Sequence, residues 1–402
     1  LSQSSSYAAP PGLIIFALSM GAFAIGTTEF AAMSLLPFFA KDLGISEPVA
    51  GHAISIYALG VVTGAPLIAI WGARFSRKTL LLALMAVFAF ANGLSAFAPD
   101  YPTLLLFRFL SGLPHGAYFG VAALVAAGLV PREKRAQSVA LVMVGLTSAT
   151  IIGVPLANWM GQAFGWRVGF MIVAVLAMIT VTLVAIFATH DKGDPESSPL
   201  RELGALKNPQ VLLTLLTGAI GFGGLFAVYT YVASILIEVT QVSESMVPLV
   251  LAIFGIGMTI GNLVAARAAD RAMNRTVIAL MLWSAASLAL FPFVASNLVA
   301  MCVVIFCIGA GGGLGSVLQA RLMDVAGDAQ TLAAAAHHSA FNMANALGPW
   351  LGGLAISAGY GLTSTGWIGA GLSLGGLAIY LVALSLQNRT ETLLSKAGPA
   401  SK

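Results

Sequence analysis

Nearly all the charge in this chain lies outside twelve long apolar stretches, and that distribution fixes its solvent. The first six are Leu13–Phe39, Val49–Gly72, Thr79–Ala98, Leu104–Val130, Ala136–Phe164 and Val168–Ala188. The second six are Gln210–Ile237, Met246–Ala266, Thr276–Ala295, Leu298–Leu318, Leu332–Ile356 and Ser364–Leu386. Each is about 20 residues or longer, enough to cross roughly 30 Å of hydrocarbon at about 1.5 Å per residue. Composition agrees: 58% of the 402 residues are hydrophobic and 8% charged. A soluble domain carries about 25% charged residues. With no water in a bilayer core, each segment must pair its own backbone groups, so the runs are helices. The expected fold is an all-α membrane protein of twelve transmembrane helices in two six-helix pseudo-repeats.

The basic residues give the orientation. Arg74, Arg77 and Lys78 follow the second run, and Arg132, Lys134 and Arg135 the fourth. Lys192, Arg201 and Lys207 follow the sixth, Arg267, Arg271 and Arg275 the eighth, and Arg321 the tenth. The alternate loops hold only Lys41 and Arg167. The positive-inside rule then places both termini in the cytoplasm. The net charge of +4 is read as topological, facing anionic lipid and not nucleic acid. The first run is expected to serve as its own targeting signal. Cys302 and Cys307 share one apolar run and read as small packing residues.

Residues 189–209 are polar and Pro-rich, reading as a solvated linker with a short surface helix at Leu200–Leu206. They separate an N-terminal bundle (13–188) from a C-terminal one (210–386), flanked by tails 1–12 and 387–402. The halves echo one another: Arg74-x-x-Arg77-Lys78 corresponds to Arg267-x-x-Asp270-Arg271. Gly145 and Gly153-Val-Pro155 correspond to Asn345-Ala-Leu-Gly348-Pro349. Two repeats facing each other across a cavity is a transporter plan.

Few ionisable groups fall well inside the runs: Glu29, Arg108, His115, His337 and His338. A charge at a helix centre costs about 2.5–3.5 kcal/mol on insertion scales, so such residues face a cavity or a partner. Glu29 is the one carboxylate deep in a run. A dry crevice favours the neutral acid and a nearby guanidinium the carboxylate, so Glu29 and Arg108 together are candidates for proton coupling. A permanent Glu29–Arg108 bridge locking the first and fourth runs is the alternative. His115, two turns from Arg108, either relays protons or bonds a neighbouring backbone. His338, Asn342 and Asn345 share one helix face, lining a cavity or knitting helices. Phe226, Tyr229 and Tyr231 combine aromatic bulk with hydroxyls, suiting an amphipathic solute or simple packing. Neighbouring His337 and His338 point apart and have no carboxylate nearby, so no metal is expected, nor any cofactor beyond protons. Gly145, Gly153 and Pro155 allow close backbone approach and bending, a gating role.

These residues resemble the major facilitator superfamily, and within it the drug:proton antiporters of the sugar (arabinose-type) efflux and chloramphenicol-exporter branch. The resemblance rests on Gly26-Thr-Thr-Glu29-Phe30, Arg108-Phe-Leu-Ser-Gly112, Gly153-Val-Pro155-Leu-Ala-Asn-Trp-Met-Gly161-Gln162 and Phe164-Gly-Trp-Arg167. It implies a rocker in which Glu29 exchanges a proton, Arg108 tunes it, and the Gly/Pro motif sits where the halves meet. It also implies a cytoplasmic latch at Arg74, Arg77 and Lys78, echoed by Asp270-Arg271. This chain has Ala73 where that loop carries Asp, and Phe38 where relatives carry an acid. The expected function is proton-coupled efflux of small neutral or amphipathic organic solutes by a monomer in a bacterial inner membrane. A facilitator or proton symporter for a sugar or nucleoside is the alternative; no enzymatic motif is present.

Overall fold

The computed structural model describes residues 9–72, 75–131, 134–189, 208–326 and 330–396. The linker with its expected surface helix, Arg74 and Arg132 lie outside the described residues. The remainder is helical, and no strand occurs among the described residues.

The first half runs α1 (Pro11–Ser34), α2 (Leu36–Leu43), α3 (Glu47–Gly72), α4 (Arg77–Ala96), α5 (Tyr101–Gly128), α6 (Arg135–Ser148), α7 (Val154–Phe164) and α8 (Arg167–Phe187). The second runs α9 (Pro209–Gly221), α10 (Gly223–Glu238), α11 (Val247–Val294), α12 (Leu298–Ala310), α13 (Gly313–Ala326), α14 (Gln330–Ala355) and α15 (Ser364–Lys396). Ten stretches are long and apolar enough to cross a membrane. One of them, the 51-residue Glu244–Val294, bends at Ala272, where φ is -158° and ψ 74°, and so crosses twice. Adding α14 gives the twelve passes expected from the sequence.

Several starts are set by side-chain caps that satisfy orphan backbone N–H groups. Ser76 accepts from Thr79 N at 3.2 Å, Asp100 from Thr103 N at 2.9 Å, and Asn297 from Ala300 N at 3.0 Å. Gly44 ends α2 in the left-handed region at φ 64°, a conformation glycine adopts without steric cost. Within the fifth run the helix widens into a π-turn at Ala149–Gly153, just before Pro155, which has no N–H to donate.

Taken along the chain, α3 ends and α4 begins at the basic loops, so Glu47 lies at the opposite end of the molecule. At that opposite end the halves close on each other. Ser55 Oγ donates to the Ala346 carbonyl at 2.8 Å, and Gln162 Nε2 to the Glu244 carbonyl at 2.8 Å. The Tyr231 hydroxyl sits where a side chain on Gly51 or Gly353 would stand, 2.5 and 2.7 Å away. The apolar cores say the same. Phe30–Ala40 and Ala50–Ile54 of the first half belong to one buried cluster with α10 and α11. Toward the basic loops, Ile14–Ile25, Leu81–Ala89 and Tyr118–Ala126 form a separate cluster confined to the first half. The buried apolar cluster is thus continuous across the seam at one end and confined to the first half at the other.

Arg321 corrects one expectation. It is not a loop cation: α13 continues past Leu318, and Arg321 is buried within it. It donates to Asn274 Oδ1 at 2.9 Å, Gln387 Oε1 at 3.1 Å and Gln210 Oε1 at 3.3 Å, with its guanidinium 5.0 Å from the Tyr380 ring. Neutral amide oxygens and an aromatic ring face that charge.

At the closed end an ion pair braces the first half. Arg167 Nη1 donates to Asp42 Oδ2 at 2.6 Å and Trp166 Nε1 to the same oxygen at 2.9 Å. The Arg167 hydrogen bond first, then that of Trp166, hold the Asp42 carboxyl below its ordinary value. A folded-state value lower than the unfolded one stabilises above the unfolded value, about 3.9, and that stabilisation is lost as pH falls through the folded value. Both side chains are largely exposed, so the contribution is at most about 1 kcal/mol. Asp42→Asn is expected to lower the melting temperature slightly at neutral pH and not at all in strong acid. An equal loss at both pH values would rule out the charge as its cause.

Candidate functional site

Glu29 lies in α1, buried, one residue before Phe30. Its carboxylate accepts a hydrogen bond from Asn345 Nδ2 at 3.0 Å, across the seam from α14 and 316 positions away in sequence. Asn345 Oδ1 is buried without a partner. Phe30 continues the crossing, edge-on to Tyr229 with ring centroids 5.4 Å apart and 6.1 Å from Phe226. Tyr229 in turn lies 4.2 Å from Phe254, and its hydroxyl has no partner. One end of the carboxylate's surroundings is therefore aromatic and the other amide.

Arg108 is buried on α5 and does not bridge to Glu29. Its Nη1 donates to Thr28 Oγ1 at 3.2 Å, while Nε and Nη2 have no partner. Thr28 passes its own hydrogen to Asn92 Oδ1 of α4 at 2.7 Å, and Asn92 Nδ2 donates to the Phe88 carbonyl at 2.9 Å. The guanidinium lies 4.3 Å from the Tyr57 ring centroid and 5.2 Å from that of Phe170. Thr28, which takes the guanidinium's hydrogen bond, is the residue before Glu29, so the two groups of opposite charge type are neighbours without a direct hydrogen bond. A buried pair held so is one whose balance a single proton can tip, since an uncompensated buried charge costs several kcal/mol.

His115 Nδ1 is 2.9 Å from the Tyr57 hydroxyl, so its bond is to a side chain and not to backbone. Phe119, one turn on, stacks on His338 across the seam at 5.1 Å with the rings 4° from parallel. Asn342 Nδ2 donates to the His338 carbonyl on its own helix at 3.0 Å, leaving Oδ1 unpartnered. Tyr231 stands apart from this group. Its hydroxyl donates to the Pro349 carbonyl at 3.0 Å and wedges the closed end of the seam. The rings of His337 and His338 are 5.9 Å apart at 71° to each other. Among the described residues, no three His, Cys, Asp or Glu side chains converge as metal ligands.

Gly145 and Gly153 both face α1: a Cβ on Gly145 would strike the Ser19 carbonyl, and one on Gly153 the Thr27 hydroxyl. The same stretch also meets the other half: within the π-turn Thr150 carries its carbonyl against Gly255 of α11, and Gln162 at the end of α7 reaches the Glu244 carbonyl. Lys78 Nζ donates to the Ala185 carbonyl of α8 at 2.8 Å, Arg77 opens α4, and Asp270 and Arg271 are exposed beside the Ala272 bend. Sequence reasoning did not find Tyr57, Thr28 or Asn92. Asn92 carried a signal, an amide in mid-run; Tyr57 carried none.

The family model described as Major Facilitator Superfamily matches residues 18–243 and 229–401. The inner membrane transport protein YdhP of Escherichia coli K12 is 41% identical over 382 residues, covering 94% of this chain and 97% of that protein. A chloramphenicol resistance protein of Streptomyces lividans is 32% identical over 398 residues, covering 96% and 98%. A crystal structure of a bacterial homologue of the human lysosomal transporter Spinster aligns with a TM-score of 0.72 at 16% identity, over 93% of this chain and 97% of that one. At that identity the likeness is one of fold. With both halves matched and nearly all of each relative covered, the chain belongs to the major facilitator superfamily of membrane transporters and is not an enzyme.

Proposed function

We propose that this transporter is a proton-coupled exporter of small neutral or amphipathic organic solutes, with Glu29 carrying the proton. The observation behind the reading is the Glu29–Asn345 hydrogen bond: a buried carboxylate whose partner belongs to the opposing half. Protonation then bears directly on whether the halves meet. A neutral Glu29 donates its hydrogen to Asn345 Oδ1, the atom otherwise without a partner, and still accepts from Nδ2. Two hydrogen bonds replace one, and the charge that attracts Arg108 is gone.

The basic loops are assigned to the cytoplasm, as the positive-inside rule requires. The packed end of the seam then faces outward, so this conformation is the one closed on the outer side. A proton arriving from outside favours it. Solute binding and release of the proton to the cytoplasm return the outward-open state. Each charge moved is worth about 2.3 kcal/mol per 100 mV of membrane potential, which suffices to drive uphill export. The relative named for chloramphenicol resistance supports export of an organic solute. The bacterial inner membrane is the proposed location, both termini cytoplasmic and one chain forming the functional unit.

The test is transport in proteoliposomes under an imposed pH gradient, using a solute first found by thermal shift at two pH values, starting from chloramphenicol and simple sugars. Glu29→Gln mimics the neutral acid. It is expected to bind solute while its gradient-driven transport falls to the level of protein-free liposomes. Undiminished uphill transport by that variant removes Glu29 from the mechanism. Equilibration without accumulation by the wild-type protein makes it a facilitator.

A further inference from the structure

Tyr57 of α3 is fully buried and touches Arg108 and His115 of α5 at once. Its ring face receives the Arg108 guanidinium at 4.3 Å from the centroid, and its hydroxyl is 2.9 Å from His115 Nδ1. The ring has little freedom to leave. Gly60, Gly64 and Gly112 let α3 and α5 meet backbone to backbone, and a Cβ on Gly112 would strike the carbonyl of Tyr57 itself. A cation over an aromatic face is held by the ring quadrupole, more strongly when desolvated. The guanidinium therefore has two competing seats: the Tyr57 face with Thr28 Oγ1, which it occupies, and the nearby Glu29 carboxylate, which it does not hydrogen-bond. The groups facing Tyr57 are Glu29 from α1 and Arg108 and His115 from α5, with His338 of α14 beyond Phe119.

We propose that Tyr57 is a positioning residue, its ring holding the Arg108 guanidinium on Thr28 and off Glu29 so that the carboxylate stays free to exchange its proton. The inference rests on the proton-carrier reading of Glu29. Without the ring, Arg108 closes onto Glu29 and keeps it charged, the locked bridge that the native arrangement avoids. The hydroxyl, by contrast, serves His115 alone.

The test needs no solute. Infrared difference spectra of the purified protein in liposomes, titrated with acid, give the protonated-carboxyl band of Glu29, assigned by its loss in Glu29→Gln. Tyr57→Leu is expected to weaken proton uptake by roughly ten-fold or more, while Tyr57→Phe, which keeps the ring, stays near wild type. Combining Tyr57→Leu with Arg108→Gln should titrate as Arg108→Gln alone. If Tyr57→Leu does not fold, Tyr57→Met carries the same expectation. A wild-type titration in the ring-less variants, an equal effect of Tyr57→Phe, or an effect surviving in the double variant would each overturn the inference. Absence of any band that Glu29→Gln removes would instead overturn the proton-carrier reading.

Discussion

Replacing Gly255 with valine is expected to cut transport at least ten-fold while leaving each half folded. A Cβ at that position would stand 2.6 Å from the Thr150 carbonyl oxygen and 2.7 Å from its carbon. Both are backbone atoms of the π-turn, so no side-chain rotation relieves the clash. Overpacking within a core costs about 1–3 kcal/mol even where neighbours can shift. Here the strain falls on one conformation only, because Gly255 and Thr150 belong to different halves. The packed seam is destabilised relative to the state in which the halves part there, and about 1–3 kcal/mol shifts that equilibrium roughly 5- to 150-fold. Transport should drop at least ten-fold, since alternation requires both states. Cysteines placed at Ser55 and Ala346, in a background lacking Cys302 and Cys307, report on closure through a short bifunctional cross-linker. Cross-linking should be lost with the valine and retained in the wild type. Wild-type transport with full cross-linking would mean the seam closes without that backbone contact.

The sequence makes the passes legible because lipid enforces them: any segment that spans must be long, apolar and self-paired. It also makes Glu29 and Arg108 legible, since an ionisable group stands out against so apolar a background. It does not disclose their partners. Asn345 lies 316 positions from Glu29, and periodicity places it on a helix face without saying what that face meets. Tyr57 is one aromatic among many, and only the glycine-mediated approach of α3 to α5 brings it under Arg108. Arg321 fooled the loop count because apolarity ends at Leu318 while the helix does not. Three amides and a tyrosine from elsewhere in the second half make burial tolerable, and none is adjacent in sequence. The π-turn was equally hidden. Gly153 and Pro155 signal a bend, but which carbonyl the bend exposes depends on the helix packed against it.

Asn345→Asp should convert the seam into a proton switch of much larger amplitude. The native pair sets a carboxylate against a neutral amide at 3.0 Å. With aspartate there, two carboxylates face each other, and at roughly 4 Å and an effective dielectric of about 20 their repulsion is about 4 kcal/mol when both are charged. That is nearly a thousand-fold in the closure equilibrium. The seam then closes only when at least one of the two holds a proton, which the pair shares as a unit. Cross-linking between positions 55 and 346 should fall to background in mildly alkaline buffer and return on acidification, while the wild-type protein changes far less. Glu29→Gln in the same chain restores one carboxylate facing one amide, with the roles exchanged, and should recover cross-linking at alkaline pH. Asn345→Leu gives the complementary result: it removes the hydrogen bond without adding charge, and strands Glu29 wherever the halves meet. A buried carboxylate without its donor loses about 1.5–3 kcal/mol, so closure should weaken by ten-fold or more, and Glu29→Gln, which removes the charge but does not restore the bond, should recover it only in part. Cross-linking that ignores pH in Asn345→Asp would show that the two side chains do not meet in the working transporter, and the coupling between proton and seam would have to be sought elsewhere.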